Sequence, residues 1–481
     1  MVSGRRFFVP VLIDHGPNIQ DRRHSKMRLV SDDILTDSNH QRPTFEAVYP
    51  EFTDFELWNP ASWTGGHPHE FYGRMRDQAP IMWSSIRKGG DGFWSVSQYD
   101  DLKSVELAPT VFSSERGSIN LGVAPKDKWK PEKLVSAALN ALINLDAPRH
   151  MEMRIQQMDF FAAGYVATLR EKVAAKVDAL LDDMERKGPV VDMVPVFSEE
   201  LPLFTLCEML GVDEEDRPKI KHWMHYLELA GQYLTNPWQV IIKEPLFPFR
   251  FFKAVEDMFA YGEKVMADRR ANPREDLLTA IAQTKLEGEE LPQEFLDGSW
   301  LLIIFAGNDT SRNSLSGTIR LMTEFPDQRQ MVLDDPSLIP RMSQEALRMI
   351  SPVRHMRRTV TEDTELNGQR IAKDEKVVLW YGAANRDPSV FPNPDTFDMM
   401  RDNVDKHLAF GHGVHKCLGS RVAQMQLRLS YERIFDRFPN ITWTGHEKVA
   451  PNALVHAISS LKVNLYGPDG KRQTQVQVKA A

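Results

Sequence analysis

The chain has 481 residues, of which 42% are hydrophobic and 26% charged, which is the composition of an ordinary globular protein. It is long enough for a core that encloses a large cofactor, and no linker rich in Gly, Ser or Pro, no low-complexity tract and no repeat divides it. The formal net charge of −8 disfavours nucleic acid as a general partner, because phosphate binding needs a strongly basic face.

The first residues carry a weak signature of an export signal or membrane anchor, in which Arg5-Arg6 precedes the apolar run 7–13. This run has seven residues and contains Pro10, whereas a membrane span needs about twenty. We therefore predict no membrane span. Residues 1–42 are predicted to be a mobile tail and residues 43–481 one folded domain.

Short β regions lie on both sides of a long helical stretch. Residues 81–84 and 93–96 have the composition of paired strands and predict a hairpin. From residue 149 to residue 324, apolar residues recur every three or four positions in several segments, which indicates helices. A second β region turns at Asn367-Gly368, a strong hairpin signal. The pattern predicts a mainly α (α+β) protein with two small sheets.

The segment of residues 292–325 is predicted to form one helix. At 1.5 Å per residue it would be about 50 Å long and would cross the whole molecule. Its middle reads Ala306-Gly307-Asn308-Asp309-Thr310. Ala306 and Thr310 are four residues apart and share a face, while Gly307 weakens the helix locally. We expect a widened turn there that holds water.

The most informative segment, residues 410–419, precedes the last long helix, which is predicted over residues 420–438. A cysteine just ahead of a helix N-terminus faces unpaired N–H groups and the positive end of the helix dipole, which favour a thiolate. A thiolate ligand pushes electron density onto a haem iron and promotes O–O cleavage. Three glycines allow a tight turn and the close approach of a flat ligand: Gly411, Gly413 and Gly419.

This segment resembles the cysteine loop of the cytochrome P450 family at every defining position, from Phe410 through Cys417 to Gly419. The resemblance covers roughly residues 45–465. It implies haem b as the cofactor, Cys417 as the axial ligand of the iron, and a central helix over the haem. It also implies a monooxygenase that uses O2 to hydroxylate an unactivated C–H bond. The other cysteine, Cys207, is predicted to be a small buried hydrophobe.

The same resemblance assigns roles to the centre of the long helix. Thr310 would hydrogen-bond dioxygen at the haem iron, Asp309 would relay protons, and Ala306 and Gly307 would lie against the cofactor. The plainer alternative for Thr310 is a buried hydroxyl that bonds back to a carbonyl one turn earlier.

Two further sets of residues match family positions. Haem propionates need basic partners, and the candidates are His150, Arg154, Arg358 and His415. By resemblance, a buried charge network that braces the haem-binding core comprises Glu345, Arg348 and Arg401. Taken alone, Glu345 and Arg348 would be an everyday surface pair worth little.

Electron-transfer partners follow from the resemblance as well, because no reductase module is encoded. We expect a ferredoxin and an NAD(P)H-dependent ferredoxin reductase as partners. We also expect a cytoplasmic location, because a chain with two cysteines and no disulfide framework is consistent with a reducing compartment. An acidic partner would be steered by basic residues around the cysteine loop, namely Lys406, His407, Lys416 and Arg421.

The substrate is expected to be aliphatic, such as an alkane, fatty acid, terpenoid or sterol. Residues 353–359, 376–381 and 307–310 resemble bacterial family members that hydroxylate alkanes, methyl-branched lipids and sterol side chains. Arg354 would anchor a carboxylate. Apolar residues of the presumed pocket suit a hydrocarbon: Ile119, Leu121, Val123, Leu234, Ile241, Ile242, Leu246 and Phe247, with Val353 beside Arg354.

Other interpretations stay open at this point. Within enzymes the main one is a peroxide-driven haem-thiolate protein, which the intact Asp309-Thr310 pair disfavours. Outside enzymes it is a haem-binding sensor or carrier that never turns over. Metal sites at His67 and His69, or at His222 and His225 at helical spacing, lack a complete ligand motif, so these histidines are expected to be ordinary loop and helix-surface residues.

Overall fold

The computed structural model describes residues 50–86, 92–115 and 132–467. The predicted tail, residues 1–42, lies outside this part, so the division into a tail and one domain stays a prediction. Within it, helices dominate and the strands form small sheets, which confirms the predicted fold class.

Helices make up most of the described chain. They are α1 (His69–Gln78), α2 (Tyr99–Leu107), α3 (Glu132–Leu139), α4 (Arg149–Gln157), α5 (Ala163–Lys187), α6 (Glu200–Leu210), α7 (Arg217–Thr235), α8 (Pro237–Lys243), α9 (Phe247–Ala271), α10 (Leu277–Gln283), α11 (Gln293–Glu324), α12 (Pro326–Asp334), α13 (Ile339–Ile350), α14 (Tyr381–Ala384) and α15 (Ser420–Arg437). Short 3-10 and π turns connect several of them.

The strands of the described part are β1 (Ile81–Ser85), β2 (Gly92–Val96), β3 (Phe112–Ser113), β4 (Val190–Asp192), β5 (Lys285–Leu286), β6 (Glu289–Glu290), β7 (His355–Val360), β8 (Thr364–Leu366), β9 (Gln369–Ile371), β10 (Lys376–Trp380), β11 (Thr442–Val449) and β12 (Ile458–Asn464). They form a five-stranded sheet in the order β1-β2-β10-β7-β3, a three-stranded sheet in the order β11-β12-β4, and the pairs β5-β6 and β8-β9. The two β regions indicated by the sequence thus contribute strands to one sheet, the five-stranded one, whereas the three-stranded sheet is built from residues 190–192, 442–449 and 458–464, where no strand was predicted.

Both predicted hairpins are present. Strands β1 and β2 pair antiparallel with Trp83 opposite Trp94, whose ring centroids are 5.2 Å apart. Asn367 and Gly368 close the β8-β9 ribbon with φ values of 50° and 80°, the left-handed conformation that the Asn-Gly signal predicts. The arms do not form one continuous ladder, because β7 pairs with β10 in the larger sheet while β8 and β9 pair only with each other.

The long central helix is α11, with Pro292 as its N-cap, close to the predicted range. Most of its side chains are buried, because helices and sheets pack along its length. It is continuous from Gln293 to Glu324, so the expected widened turn at residues 306–310 is absent. Hydroxyl groups on the helix donate to carbonyls one turn earlier, among them Thr310 Oγ1 to Ala306 O at 3.1 Å.

Two hydrophobic clusters hold these elements together. The larger lies among the helices around α11 and includes Cys207, which is fully buried as predicted. Burial raises the pKa of the Cys207 thiol to about 11, as expected of a small hydrophobic side chain. The smaller cluster lies on the five-stranded sheet and includes stacked Trp63 and Trp380. None of the described helices is both long and apolar enough to cross a membrane.

Candidate haem-thiolate site

The cysteine loop reverses direction just ahead of α15. Cys417 N donates to Phe410 O at 2.7 Å and Lys416 N to Gly413 O at 3.2 Å, which closes the turn. Gly411 and Gly413 have φ values of 68° and 63°, a left-handed conformation that a side chain would strain. A Cβ at Gly413 would also collide with the backbone carbonyl of residue 106 in α2. The loop conformation therefore requires glycine at these two positions.

Gly419 differs from these two glycines. Its φ of −80° suits any residue, and a Cβ there would come no closer than 4.0 Å to the nearest protein atom, in Phe161. The protein alone does not require glycine at this position. A flat ligand lying against the start of α15 would require it.

The electrostatics of Cys417 differ from the expectation. Burial raises the pKa of its thiol, and the N–H of Gly419 with the cations Arg154 and Lys416 opposes this rise without reversing it. The helix N-terminus alone therefore does not make a thiolate, because the cost of desolvating the anion exceeds its favourable contacts. Cys417 nevertheless keeps accessible surface in this enclosed loop. A bound metal cation would shift the balance to the thiolate.

Four basic side chains from three parts of the chain, namely α4, β7 and the cysteine loop itself, gather at the loop. The rings of His150 and His415 are 4.1 Å apart, and Arg154 Nη2 donates to Lys416 O at 2.6 Å. Burial, together with the nearby Arg358, His150 and Arg154, lowers the pKa of His415 to about 2. Burial lowers the pKa of His150 to about 4, together with Arg154 and Arg358. All four predicted propionate partners are thus brought together.

The centre of α11 has an accessible face in an otherwise buried helix. Ala306 and Gly307 are exposed and Thr310 is half-buried, although Ile304 and Asn308 beside them are buried. Because Ala306 and Thr310 lie one turn apart, accessible surface on both indicates an internal cleft along this face. One turn before Ala306, Leu302 is also partly accessible.

Asp309 points away from Thr310, since successive helical residues are about 100° apart. Its carboxylate lies 3.2 Å from Arg312, which in turn lies 3.3 Å from Glu228 of α7. These three side chains, with Glu199, line a cavity of about 140 Å³. The pKa of Asp309 is raised to about 6, mainly by burial. Glu228 and Glu199 contribute to the rise, and Arg312 opposes it. The two predicted catalytic residues therefore lie on different sides of α11.

Glu345, Arg348 and Arg401 form one buried cluster. The Glu345 carboxylate accepts two bonds of 2.8 Å from Arg348 and one of 3.0 Å from Arg401 Nε. The side chains of Glu345 and Arg348 are 0% exposed and that of Arg401 is 7% exposed. The two guanidinium groups also donate to backbone carbonyls of residues 385–396, which ties α13 to the segment before the cysteine loop.

Sequence reasoning missed two groups at this site. Glu106 of α2 is buried, accepts a hydrogen bond of 2.7 Å from Tyr381 and lies near Arg358. Burial raises the pKa of Glu106 to about 7. Nothing in its sequence neighbourhood marks it, because its partner is 275 residues away. The Arg312 and Glu228 pair is the second group, and only the three-residue spacing of Asp309 and Arg312 signals it.

Several predicted pocket residues lie elsewhere. Arg354 is buried under the five-stranded sheet, where it covers the Trp63 ring at 4.6 Å and donates to the backbone oxygens of Trp63 and Asn452. It is therefore not the predicted anchor for a carboxylate. Phe247 is also core, stacked near Tyr233 and Phe251, and Leu246 is 53% exposed on the outside.

Other members of the predicted pocket are less informative. Ile119, Leu121 and Val123 lie outside the described residues, as does the side chain of Leu234. Val353 is half-buried, bridged to Val455 near the smaller core. Ile241 is half-buried and Ile242 is 78% exposed. The assignment to the pocket therefore stays a prediction for Ile119, Leu121, Val123 and Leu234, whereas Ile242 lies on the surface.

His407 was expected to belong to the basic docking face, but it does not. It is buried, and its ring lies 2.8 Å from Gln344 Oε1. Burial lowers the pKa of His407 to about 3, with Arg348 adding to the effect, so the ring is neutral at physiological pH. Lys406, Lys416 and Arg421 are exposed and keep the position expected of them.

The donor set fits a haem. One sulfur donor faces accessible space, Gly419 leaves room for a flat macrocycle, and a partly buried group of basic residues suits two propionates. A mainly helical fold with this site defines a haem-thiolate oxidoreductase.

Comparisons with known proteins agree. A sequence model described as Cytochrome P450 matches residues 64–460. The chain is 33% identical to the linalool 8-monooxygenase of Pseudomonas putida, over 85% of this chain and 98% of that one. It is 30% identical to a methyl-branched lipid omega-hydroxylase of Mycobacterium tuberculosis, over 82% of this chain and 90% of that one. The cytochrome P450 CYP268A2 of Mycobacterium marinum, solved with pseudoionone, has a TM-score of 0.76 at 28% identity, covering 85% and 98% of the two chains.

The chain belongs to the cytochrome P450 family. Its cofactor is haem b with a cysteine thiolate ligand, and it is a monooxygenase that uses O2 and a hydrophobic substrate. A peroxide-driven enzyme or a non-catalytic sensor is not favoured, because the relatives are named as monooxygenases and hydroxylases.

Proposed function

We propose that this protein hydroxylates an unactivated C–H bond of an apolar, mainly aliphatic molecule, with electrons from a ferredoxin and an NAD(P)H-dependent ferredoxin reductase. The observation that carries the proposal is the accessible face of α11, where Leu302, Ala306 and Thr310 lie in line and only Thr310 is polar. A hydrocarbon gains about 25 cal/mol for each Å² that it buries against such a surface.

Each site residue has a proposed role. Cys417 supplies the axial sulfur, and His150, Arg154, Arg358 and His415 hold the propionates. When bound, the haem supplies the oxygen-activating chemistry. Because burial, with help from the nearby cations, lowers the pKa of both imidazoles and keeps them neutral, they would act as hydrogen-bond partners of the carboxylates while the guanidinium groups carry the charge.

Thr310 and Asp309 are proposed to control protons. In this conformation the Thr310 hydroxyl donates to Ala306 O, and a rotation about its side-chain bond would redirect it into the cleft. Asp309 binds a proton with a pKa of about 6, close to neutral, inside a polar cavity that also holds Glu228 and Glu199. A carboxyl group with such a pKa both takes up and releases protons readily at physiological pH.

Aliphatic substrates are favoured by two of the relatives. One is named for linalool and another for methyl-branched lipids. An uncharged substrate fits the described site better than a carboxylate on Arg354, since that side chain already donates to two backbone carbonyls within the core.

The substrate proposal is tested by titrating the ferric holoprotein with linalool, an alkane, a methyl-branched lipid, a sterol and a small polar aromatic compound. We expect only the aliphatic compounds to produce the high-spin shift of the haem spectrum and to be hydroxylated. Binding and turnover of the small polar compound alone would show that the aliphatic assignment is wrong.

Thr310→Ala is expected to retain haem but to divert reducing equivalents from product into hydrogen peroxide, since the hydroxyl that directs protons is lost. The measurement is the ratio of product formed to NAD(P)H consumed, which should fall about tenfold or more. Thr310→Ser should restore most of the ratio.

The matched control for this variant is Thr318→Ala. Thr318 lies two turns further along α11 and makes the same bond to a carbonyl one turn earlier, at 2.8 Å. This change should leave the ratio as in the wild type. An unchanged ratio in Thr310→Ala as well would remove Thr310 from proton control.

The ferredoxin is proposed to dock beside the cysteine loop. Lys416, Lys406 and Arg421 are exposed there, and Arg421 also borders a groove between α5, α13 and α15 that holds Arg170 and Arg428. Such a basic surface on an acidic chain supports an acidic, electrostatically steered partner. We also propose a cytoplasmic location, because both cysteines are unpaired and the cytoplasm keeps thiols reduced.

A further inference from the structure

A buried carboxyl group beside the cysteine loop has no part in the functions described so far. Glu106 lies at the end of α2 and is only 4% exposed. One carboxylate oxygen, Oε1, accepts the hydrogen bond of 2.7 Å from the Tyr381 hydroxyl. The other oxygen, Oε2, is buried and lacks a partner in hydrogen-bond geometry among the described residues. A buried acid that is only half satisfied costs stability, so its presence calls for a functional reason.

The surroundings of Glu106 are the elements that build the haem-thiolate site. The carboxyl group packs against the cysteine loop, because a Cβ at Gly411 would lie 3.3 Å from Glu106 Oε1. Its backbone carbonyl packs in the same way against Gly413. Tyr381 comes from α14, and the nearby Arg358 comes from β7. The carboxyl group therefore lies where α2, α14, β7 and the cysteine loop meet.

The groups that face Glu106 compensate its charge only in part. The Tyr381 phenol stays protonated, because burial, with Glu106 adding to the effect, raises its pKa well above the usual range. Arg358 makes no ion pair with Glu106 in the described part of the chain, and its Nη1 donates to Arg357 O at 2.9 Å. Burial raises the pKa of Glu106 to about 7, and Tyr381, Arg358 and the backbone N–H of His412 oppose the rise. The carboxyl group therefore gains or loses its proton near neutral pH.

The imidazoles around the same loop do not change charge in this range. Burial, with nearby cations, lowers the pKa of His150 to about 4 and that of His415 to about 2. Burial also lowers the pKa of His412, with Lys103 and Lys416 adding to the effect. All three rings are therefore neutral where Glu106 titrates.

We propose that Glu106 takes up one proton from solvent when the haem iron takes up one electron. Reduction of Fe(III) to Fe(II) adds one negative charge to the site, and the proton bound by the Glu106 carboxylate cancels it. Inside a protein, an added negative charge raises the proton affinity of a nearby carboxylate. The proposal rests on the proposed binding of the haem against the cysteine loop, but it is independent of the substrate and of the ferredoxin.

The test is the reduction potential of the full-length holoprotein, measured by spectroelectrochemistry with small-molecule mediators from about pH 5.5 to about pH 9. In the wild type the potential should fall as the pH rises through the pKa of Glu106, because the carboxylate anion disfavours the added electron. A tenfold difference in proton affinity between the ferric and ferrous forms would separate the low-pH and high-pH potentials by about 59 mV. Glu106→Gln is neutral at every pH and can still accept from Tyr381, so it should keep the low-pH potential throughout.

Two further measurements separate the charge of Glu106 from its packing. Tyr381→Phe keeps the ring but removes the hydroxyl that lowers the pKa of Glu106, so the fall in potential should move to higher pH. In infrared difference spectra, reduction of the wild type should produce the C=O band of a protonated buried carboxyl group. Glu106→Gln should lack this band.

Glu324→Gln is the matched control, because burial raises the pKa of this carboxyl group as well. Glu324 ends α11, about 21 Å from Thr310 along the helix axis at 1.5 Å per residue. The change should leave the pH dependence of the potential as in the wild type. Asp309→Asn removes the other acid with a pKa near neutral and should leave the fall at the pKa of Glu106 in place.

A wild-type potential that does not depend on pH in this range would overturn the proposal. An equal pH dependence in Glu106→Gln would also overturn it and would assign the proton uptake to the haem propionates. The spectrum of the ferrous CO complex checks the haem site in every variant. Loss of the thiolate band in the wild type would overturn the haem site and this proposal together, whereas a normal band with a pH-independent potential would overturn this proposal alone.

Discussion

Replacement of Cys417 by Ala or His is expected to abolish oxygen insertion completely. Alanine has no donor atom, and histidine provides a neutral nitrogen in place of an anionic sulfur, so neither can push electron density onto the iron. The loop geometry should persist, because its closing hydrogen bond uses the backbone N–H of residue 417 and not the side chain.

Two measurements check this result. Product formation with a ferredoxin and its reductase should disappear, and the ferrous CO complex should lose the absorption band that is characteristic of thiolate ligation. Cys207→Ala is the matched control, because it removes the other cysteine from the hydrophobic core and should keep both signals. Hydroxylation at the wild-type rate by either Cys417 variant would refute the assignment of the axial ligand.

Glu345→Ala is expected to have the second largest effect and to prevent accumulation of folded holoprotein. The carboxylate is fully buried between Arg348 and Arg401. Removing one partner from a buried charge cluster leaves the remaining charges uncompensated, at a cost of about 3–5 kcal/mol. This cost is a large part of the total stability of an average domain.

The appropriate control is another acid that pairs with an Arg three residues later on a helix, but at the surface. Asp183 lies 3.2 Å from Arg186, whose side chain is 69% exposed, and Asp183→Ala should leave the free energy of unfolding nearly unchanged because solvent screens the pair. Holoprotein yield and chemical denaturation are the measurements. Equal yields of Glu345→Ala and Asp183→Ala would show that the cluster does not support the fold.

Some features of the site were predictable because they depend on local chemistry. The glycines at 411 and 413 adopt the left-handed conformations that a tight cysteine loop needs, and Asn367-Gly368 forms its turn. The central and last helices begin and end within one residue of the predicted bounds, because apolar periodicity and flanking prolines define them.

Other features required the packed molecule. Arg354 was expected to line the pocket, yet its partners, Trp63 and Asn452, come from distant parts of the chain that only the sheet brings together. Glu106 meets Tyr381 across 275 residues. Phe247 and Leu246 are neighbours of the same class, and only the docking of α9 decides that one is core and the other exposed.

The sequence by itself thus determined the family and the positions of the long helices and supplied the proposed axial ligand, because these follow from short motifs and from periodicity. Only the tertiary structure decided which way each side chain faces and how its charge is balanced. Cys417 shows the reason: its place before a helix favours a thiolate, but burial by the surrounding chain raises the pKa of the thiol. Desolvation depends on every element packed around a group, and no local pattern contains that information.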